Sequence, residues 1–137
     1  MLFEFLTTSQ LAEISLKGDI TKLGKRGIIR GFSYSPNDEY LLVMQYKKPF
    51  SYLVPASRFP MMTQVWSPSG ELVKTIADLP SGESIPKGFD STMEGRRSIG
   101  WRSDKAATLV WAEAQDGGNM SNDVPFHDAV YTWEAPF

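Results

Sequence analysis

Short runs in which apolar and polar residues alternate follow one another along the chain and predict β-strands. Residues 11–16 alternate in this way, and a Lys-Gly-Asp turn at 17–19 precedes the next run at 20–23. Residues 28–35 and 40–46 form a second pair of runs on either side of another turn. Since 11 Gly and 9 Pro interrupt any long helix, we predict an all-β fold of about nine antiparallel strands.

Two of these patterns occur more than once in the chain. Residues 31–43 align with 99–111, and residues 12–22 align with 64–74. A further partial copy of the second pattern begins at His127. The repeated unit is four short antiparallel strands with aromatic positions, which is typical of a β-propeller blade. We therefore predict a partial β-propeller of about two four-stranded blades.

The predicted propeller is incomplete, because closed propellers have about 4 to 8 blades. Unpaired strand edges and uncovered sheet faces favour either assembly with other copies or origin as part of a longer protein. We therefore expect the isolated chain to form homo-oligomers. The single propeller fragment, 1–137, divides into the end of one blade at 1–27, a full blade at 28–77, an insertion loop at 78–95 and most of a further blade at 96–137.

The connections between the predicted strands differ in length in a regular way. Residues 47–62, 78–95 and 115–126 are long connections, whereas the other turns are tight. In an up-and-down blade these long connections all emerge at the same end. Long ordered loops grouped on one side of a fold usually carry its function.

Composition and charge exclude several classes of function. With 14 basic and 16 acidic residues the net charge is −2, so we expect no nucleic-acid partner. No run approaches the about 20 apolar residues that cross a bilayer, and the first residues do not form a signal peptide, so we expect a soluble protein without membrane contact. No cysteine and one histidine restrict metal and acid–base chemistry, so we expect no cofactor and no autonomous enzyme.

Three further polar features have ordinary structural interpretations. His127 beside Asp128 suggests half of a catalytic triad or a metal ligand, but an interface histidine is favoured because no second His or Cys exists. Residues 116–123 carry calcium-type oxygens without the spacing of an EF-hand loop. Asn119 lies in a glycosylation pattern that is common by chance.

The large aromatic residues lie on predicted strands. We expect them to fill the space between blades rather than to stack on a ligand. The set consists of Trp66, Trp101, Trp111, Trp133, Tyr34 and Tyr46.

Several strings of this sequence carry a family resemblance. They lie at 2–11, 50–60, 65–66, 77–80, 97–104, 108–118 and 129–131, and the most specific is FSYLVPASRFP at 50–60. With them the chain resembles the propeller region of glutamyl endopeptidase-like serine peptidases of the prolyl oligopeptidase family. The resemblance implies a propeller that restricts substrate access and an α/β-hydrolase domain that holds a Ser–Asp–His triad.

This chain matches only the propeller part of that pattern, and no catalytic residue of the family can be placed on it. A nucleophile elbow needs Gly-x-Ser-x-Gly at a turn from strand to helix. The nearest string, around Ser33, ends in Ser35 and is followed by a turn and another strand. We therefore expect a non-catalytic segment that gates and orients a peptide substrate for the hydrolase domain of a parent chain, itself periplasmic or secreted.

Arginines near the long connections are the candidate substrate-binding residues. Arg58, Arg96 and Arg97 lie on or beside this end, together with Lys47 and Lys48. Arginine pairs with carboxylates through two parallel hydrogen bonds, so these side chains suit an acidic substrate. Ordinary surface charge is the competing interpretation of these residues. The competing function is a propeller-like protein-interaction module unrelated to proteolysis.

Overall fold

The computed structural model describes residues 2–85 and 88–137, which form eight strands and little helix. The elements are α1 Leu2–Thr7, β1 Ser9–Ile14, β2 Ile20–Tyr34, β3 Leu41–Tyr46, β4 Met61–Trp66, β5 Leu72–Leu79, β6 Arg97–Trp101, β7 Thr108–Ala114 and β8 Asp128–Glu134. Two single-turn 3₁₀ helices, Ala56–Arg58 and Gly82–Ser84, lie in the long connections. The prediction of an all-β fold is confirmed.

The strands form two antiparallel sheets, one with the order β1-β2-β3-β4-β5 and one with the order β6-β7-β8. The 15-residue β2 pairs with β1 through its first half and with β3 from Ile28 onward. The prediction of two separate strands in this segment is therefore wrong. Within β2, Gly24 has a φ of +61° and lies against the Trp66 ring, where a Cβ would overlap the indole.

The two hairpins that align in sequence also have the same turn. In each, the amide of a serine, Ser15 or Ser67, donates to the carbonyl four residues later, at 2.9 Å and 2.8 Å. The following glycine, Gly18 or Gly70, donates its amide back to that serine carbonyl at 2.9 Å in both turns. Both glycines have positive φ, +91° and +87°. The sequence repeat therefore corresponds to a repeated hydrogen-bond pattern.

The core consists of two apolar clusters on opposite faces of the five-stranded sheet. The first joins the two sheets and contains Leu42, Val65, Ile76, Leu109 and Trp111, with Tyr40, Ile99, Trp101, Trp133 and Phe137 around it. The second contains Leu41, Val43 and Trp66, with Leu11 and Ile29 packed against it. The central strands β3 and β4 are thus covered on both faces.

The prediction that the large aromatic residues pack inside the fold is confirmed for the tryptophans. All four belong to or pack against the two clusters, and the Trp101 Nε1 donates to the Ser33 carbonyl at 3.1 Å, which links β6 to β2. The prediction is wrong for Tyr34, whose side chain is 40% exposed. Tyr34 is the last residue of β2 and adjoins a solvent-exposed turn.

Apolar side chains outside the two clusters remain exposed. Val130 on β8 is 72% exposed, and Ile14 and Ile20 on the β1–β2 hairpin are 66% and 67% exposed. Leu16 at the tip of that hairpin is fully exposed. The residues that the structure describes therefore do not enclose one sealed interior, and the outer sheet faces are left to water.

Candidate functional site

The long connections meet at one end of the sheets, which we call the loop end. The amide of Thr92 donates to the Gly118 carbonyl at 2.9 Å, and a Cβ at Gly82 would lie 2.9 Å from the Cβ of Arg58. These contacts join the segments 80–96, 115–127 and 47–60. The hairpin turns at 15–19, 35–40, 67–71 and 102–108 form the turn end, where the amide of Asn37 donates to the Ala106 carbonyl at 3.1 Å.

A large cleft at the loop end, of about 560 Å³, has Asp78 and Glu94 as the charged residues of its described lining. It lies between the end of β5 and the segments around Glu94 and Gly117. Asp78 lines it and forms an ion pair with Lys47, whereas Glu94 has no ion-pair partner among the described residues. A carboxylate ligand would meet like charge from these described lining residues.

A smaller cleft, which we call the arginine cleft, lies between the two sheets at the loop end. It measures about 160 Å³, and Arg30, Arg96 and Arg97 are the charged residues of its described lining. The apolar part of its lining, which we call its wall, consists of Met44, Met61, Leu79 and Ile99, and Ser57, Thr63 and Ser98 also line the cleft. No Asp or Glu belongs to the described lining of this cleft.

Arg96 holds the two sheets together at the edge of the first core cluster. Its guanidinium lies 4.7 Å from the centre of the Trp111 ring and 5.7 Å from that of Trp133. Its Nη1 donates to the Ile76 carbonyl at 2.9 Å, and its Nε lies 3.5 Å from the Glu113 Oε1. The Arg96 guanidinium is therefore largely engaged in contacts within the fold.

Arg97 and Arg30 are less fully paired. The Nη2 of Arg97 donates to the Asp128 Oδ1 at 2.5 Å, while its buried Nη1 has no acceptor among the described residues. The Nε of Arg30 donates to the Tyr46 Oη at 3.2 Å, and its Nη1 lies 4.0 Å from the Met44 Sδ. Arg30 has no ion-pair partner in the part of the chain that the structure describes.

The structure brings together two of the three predicted arginines and separates the third. Arg58 is exposed at the end of the 3₁₀ helix Ala56–Arg58, and its neighbour Ser57, not Arg58, lines the arginine cleft. Sequence reasoning missed Arg30, because it lies at a β-bulge between Ile29 and Gly31 in a segment predicted to be plain strand.

An apolar pocket of about 410 Å³ also opens at the loop end. Phe3 of α1 packs edge-on against Phe50 and Phe59, with ring centres 5.1 Å and 5.4 Å apart. The exposed side chains of Leu6 and Tyr52 complete its rim. Since Phe59 is buried, these rings anchor the 47–60 connection to the first helix.

His127 pairs with a different carboxylate from the one that adjoins it in sequence. Its Nδ1 lies 2.6 Å from the Oδ2 of Asp116, whereas Asp128 pairs with Arg97. Asp116 is buried and also accepts from the Gly118 amide at 2.8 Å. The hydrogen bond from His127 lowers the pKa of Asp116, and the Gly118 amide lowers it further, although burial opposes them. The pair fastens the 115–127 connection to the start of β8.

The remaining candidates from the sequence, a nucleophilic serine and a calcium-type loop, have structural roles. Ser33 lies within β2 opposite Leu42, so it is not on a strand-to-helix turn. Within the 116–123 segment, the Asn122 Nδ2 donates to the Asp116 carbonyl at 2.7 Å. Among residues 2–85 and 88–137, no three acidic or histidine side chains gather as metal ligands, and no helix has the length and hydropathy to cross a bilayer.

Two curated proteins are similar to this chain over nearly its whole length. One, from Oryza sativa subsp. japonica and named "Probable glutamyl endopeptidase, chloroplastic", is 40% identical over 130 residues, 95% of the chain. The other, from Arabidopsis thaliana and of the same name, is 40% identical over 134 residues, 98% of the chain. No protein-family model and no solved structure matches the chain. The chain spans 14% of the length of each relative, and is therefore similar to one segment of proteins named glutamyl endopeptidase.

Proposed function

We propose that this chain is a non-catalytic propeller segment of a glutamyl-selective serine endopeptidase, where it gates and orients the peptide substrate. The observation that carries the proposal is the 40% identity to proteins named glutamyl endopeptidase, which covers at least 95% of the chain but 14% of each relative. A segment of this size within a much longer protein fits a part that assists chemistry done elsewhere. The partner that the proposal requires is an α/β-hydrolase domain.

The stacked sheets support a propeller interpretation. The strands from 28 to 79 form a four-stranded antiparallel unit, and β6-β7-β8 packs on one of its faces through Leu42, Leu109 and Trp111. The β1–β2 hairpin covers the opposite face at Trp66. Successive twisted sheets that bury their faces only against neighbours are the packing of propeller blades.

The loop end supports a role in substrate access. Its three long connections are joined by contacts and border the larger cleft and the aromatic pocket, while the turn end has only tight turns. Loops on a rigid scaffold are the usual place of recognition. In the proposed function these loops limit which peptides reach the hydrolase domain.

The test shortens the 47–60 connection in the full-length protein that contains this segment. Residues 51–57 are replaced by two glycines, so that the buried Phe59 and its partner Phe50 stay in place. We expect cleavage of protein substrates to rise several-fold relative to cleavage of a short glutamyl peptide, because a gate acts on size and not on the chemical step.

The control for this test lies at the turn end. Leu16→Ser changes a fully exposed side chain there, and we expect it to leave the ratio of protein to peptide cleavage unchanged. A shortened loop that also leaves the ratio unchanged contradicts the gating role. Loss of peptide and protein cleavage by the same factor contradicts it too, since it indicates a general defect.

We also propose that the isolated chain self-associates. The outer face of β8 exposes Val130, and the edge strands β5 and β8 have no further strand paired to them among the described residues. Multi-angle light scattering should therefore give a mass above 15.4 kDa at high concentration. A stable monomer contradicts this proposal and leaves the peptidase role untouched.

A further inference from the structure

We propose that the arginine cleft binds the carboxylate of an acidic peptide side chain, and that Arg30 is the residue whose charge is free to do so. This deepens the proposed function, on which it rests for its peptide ligand. In this proposal the carboxylate is recognised in the space between the two sheets and not at the loop tips. The residue that recognises it lies on a strand, outside the predicted set of Arg58, Arg96 and Arg97.

The charge around the cleft is unbalanced. Arg96 lies 3.5 Å from Glu113 and Arg97 lies 2.5 Å from Asp128, so each of these guanidinium groups has a carboxylate partner. Arg30 has none among the described residues. Arg30 is exposed, so three cations share two anions at a partly open cleft, and one further negative charge would balance them.

Arg30 also has hydrogen-bond donors to spare. Its Nε donates to the phenol of Tyr46, and its Nη1 faces only the thioether sulfur of Met44, which is a weak acceptor. Its Nη2 has no acceptor in the part of the chain that the structure describes. A guanidinium with free donors on one edge can bind a carboxylate through two parallel hydrogen bonds.

The shape of the cleft selects among anions. Its volume of about 160 Å³ is the space of about five waters, so a side chain of glutamyl size fits within it. The wall of Met44, Met61, Leu79 and Ile99 would cover the methylene groups of such a side chain while its carboxylate meets the arginines. A phosphate ion has no apolar part for this wall, so a side-chain carboxylate fits the cleft better.

The experiment measures equilibrium binding and needs no hydrolysis, so it can fail or succeed separately from the proposed peptidase role. The 137-residue chain is titrated by calorimetry with acetyl-Ala-Glu-Ala-amide and with acetyl-Ala-Gln-Ala-amide. We expect the Gln peptide to bind about tenfold more weakly, because it lacks the charge that the cleft recognises. We expect Arg30→Met to weaken binding of the Glu peptide by about the same factor.

Arg26→Met is the matched control. Arg26 is an exposed arginine on the same strand, outside the arginine cleft, and its replacement changes the net charge by the same amount. It should bind the Glu peptide as the unchanged chain does. Arg30→Lys keeps the charge without the paired donors, so it should fall between the unchanged chain and Arg30→Met.

Three results would overturn the proposal. Equal binding of the Glu and Gln peptides would show that charge is not recognised. Equal losses in Arg26→Met and Arg30→Met would show a response to net charge alone. Inorganic phosphate that binds as tightly as the Glu peptide would show a general anion site. Melting temperatures of the variants check that each one is folded. If Arg30→Met does not fold, binding of the Glu peptide by Arg30→Lys is compared with that of the unchanged chain, and equal binding overturns the proposal.

Discussion

The two ends of the same strands differ in how they are built. At the turn end, two hairpins 52 positions apart have the same backbone hydrogen bonds, and Asn37 and Ala106 tie the turns of the two sheets together. At the loop end, connections of unequal length enclose clefts, unpaired arginine donors and an aromatic pocket. The turn end thus repeats backbone contacts between strands, whereas the loop end leaves arginine donors without partners among the described residues, which supports the proposed role in ligand binding.

The largest effect should come from a glycine at the turn end. Gly70 has a φ of +87°, and a Cβ there would overlap the backbone of Leu23 and Gly24. Gly70→Ala should therefore lower the free energy of unfolding by about 3 kcal/mol, from steric overlap added to backbone strain. The measurement is urea denaturation of the isolated chain.

Gly18→Ala is the matched control for this prediction. Gly18 occupies the same place in the other repeated turn, with a φ of +91°, but nothing lies within 4 Å of the position of its Cβ. Its replacement should cost about 1 kcal/mol, from strain alone. Equal losses in the two variants would show that the turn end is not packed as described.

The sequence predicted the hairpins well because their signals are local. In each repeat a Gly three residues after a serine, Gly18 after Ser15 and Gly70 after Ser67, is enough to specify the turn. The continuity of β2 could not be predicted in this way. Gly24 suggests a break locally, but it is required there by a ring 42 residues away, that of Trp66. Tertiary packing therefore overrides the local signal.

A loss of stability of intermediate size is expected for one of two arginines at the loop end and not for the other. Arg96 contacts two indole rings and donates to the Ile76 carbonyl, so Arg96→Met should lower the free energy of unfolding by about 2 kcal/mol. Arg58 is exposed, so Arg58→Met should change stability by less than about 0.5 kcal/mol. Thermal denaturation of both variants makes the comparison, and a larger loss for Arg58→Met would reverse these assignments.

The candidate site was only partly predictable for a related reason. Arg96 and Arg97 could be predicted because they follow a long connection, and the prediction placed substrate-binding residues beside the long connections. Arg30 lies within a strand, and only the pairing of β2 with β3 and the bulge beside Gly31 place it in the cleft. The sequence gives no sign of which cations already have a carboxylate partner across the sheets, as Arg97 has in Asp128.

The smallest effect should be a change with pH at the loop end. The pKa of Asp116 is lowered in the folded chain, chiefly by the hydrogen bond from His127. A lowered pKa stabilises the fold above the pKa of the unfolded state, and this contribution is lost as the pH falls through the folded value, below about pH 4. Asp116→Asn should therefore reduce the fall in melting temperature between pH 5 and pH 2.

The control for the pH prediction is Asp123→Asn, which changes an exposed carboxylate in the same connection. It should leave the pH dependence of the melting temperature close to that of the unchanged chain. If Asp116→Asn follows the same curve as the unchanged chain, the bond between His127 and Asp116 does not stabilise this end of the fold.

The most direct test of the difference between the two ends is a map of amide chemical shifts, recorded by NMR as the isotope-labelled chain is titrated with acetyl-Ala-Glu-Ala-amide. Binding at the arginine cleft should move the amide signals of Arg30, Arg97 and Ile99 while those of Gly18 and Gly70 stay in place. Shifts confined to the turn end, or shifts of equal size at both ends, would contradict the account.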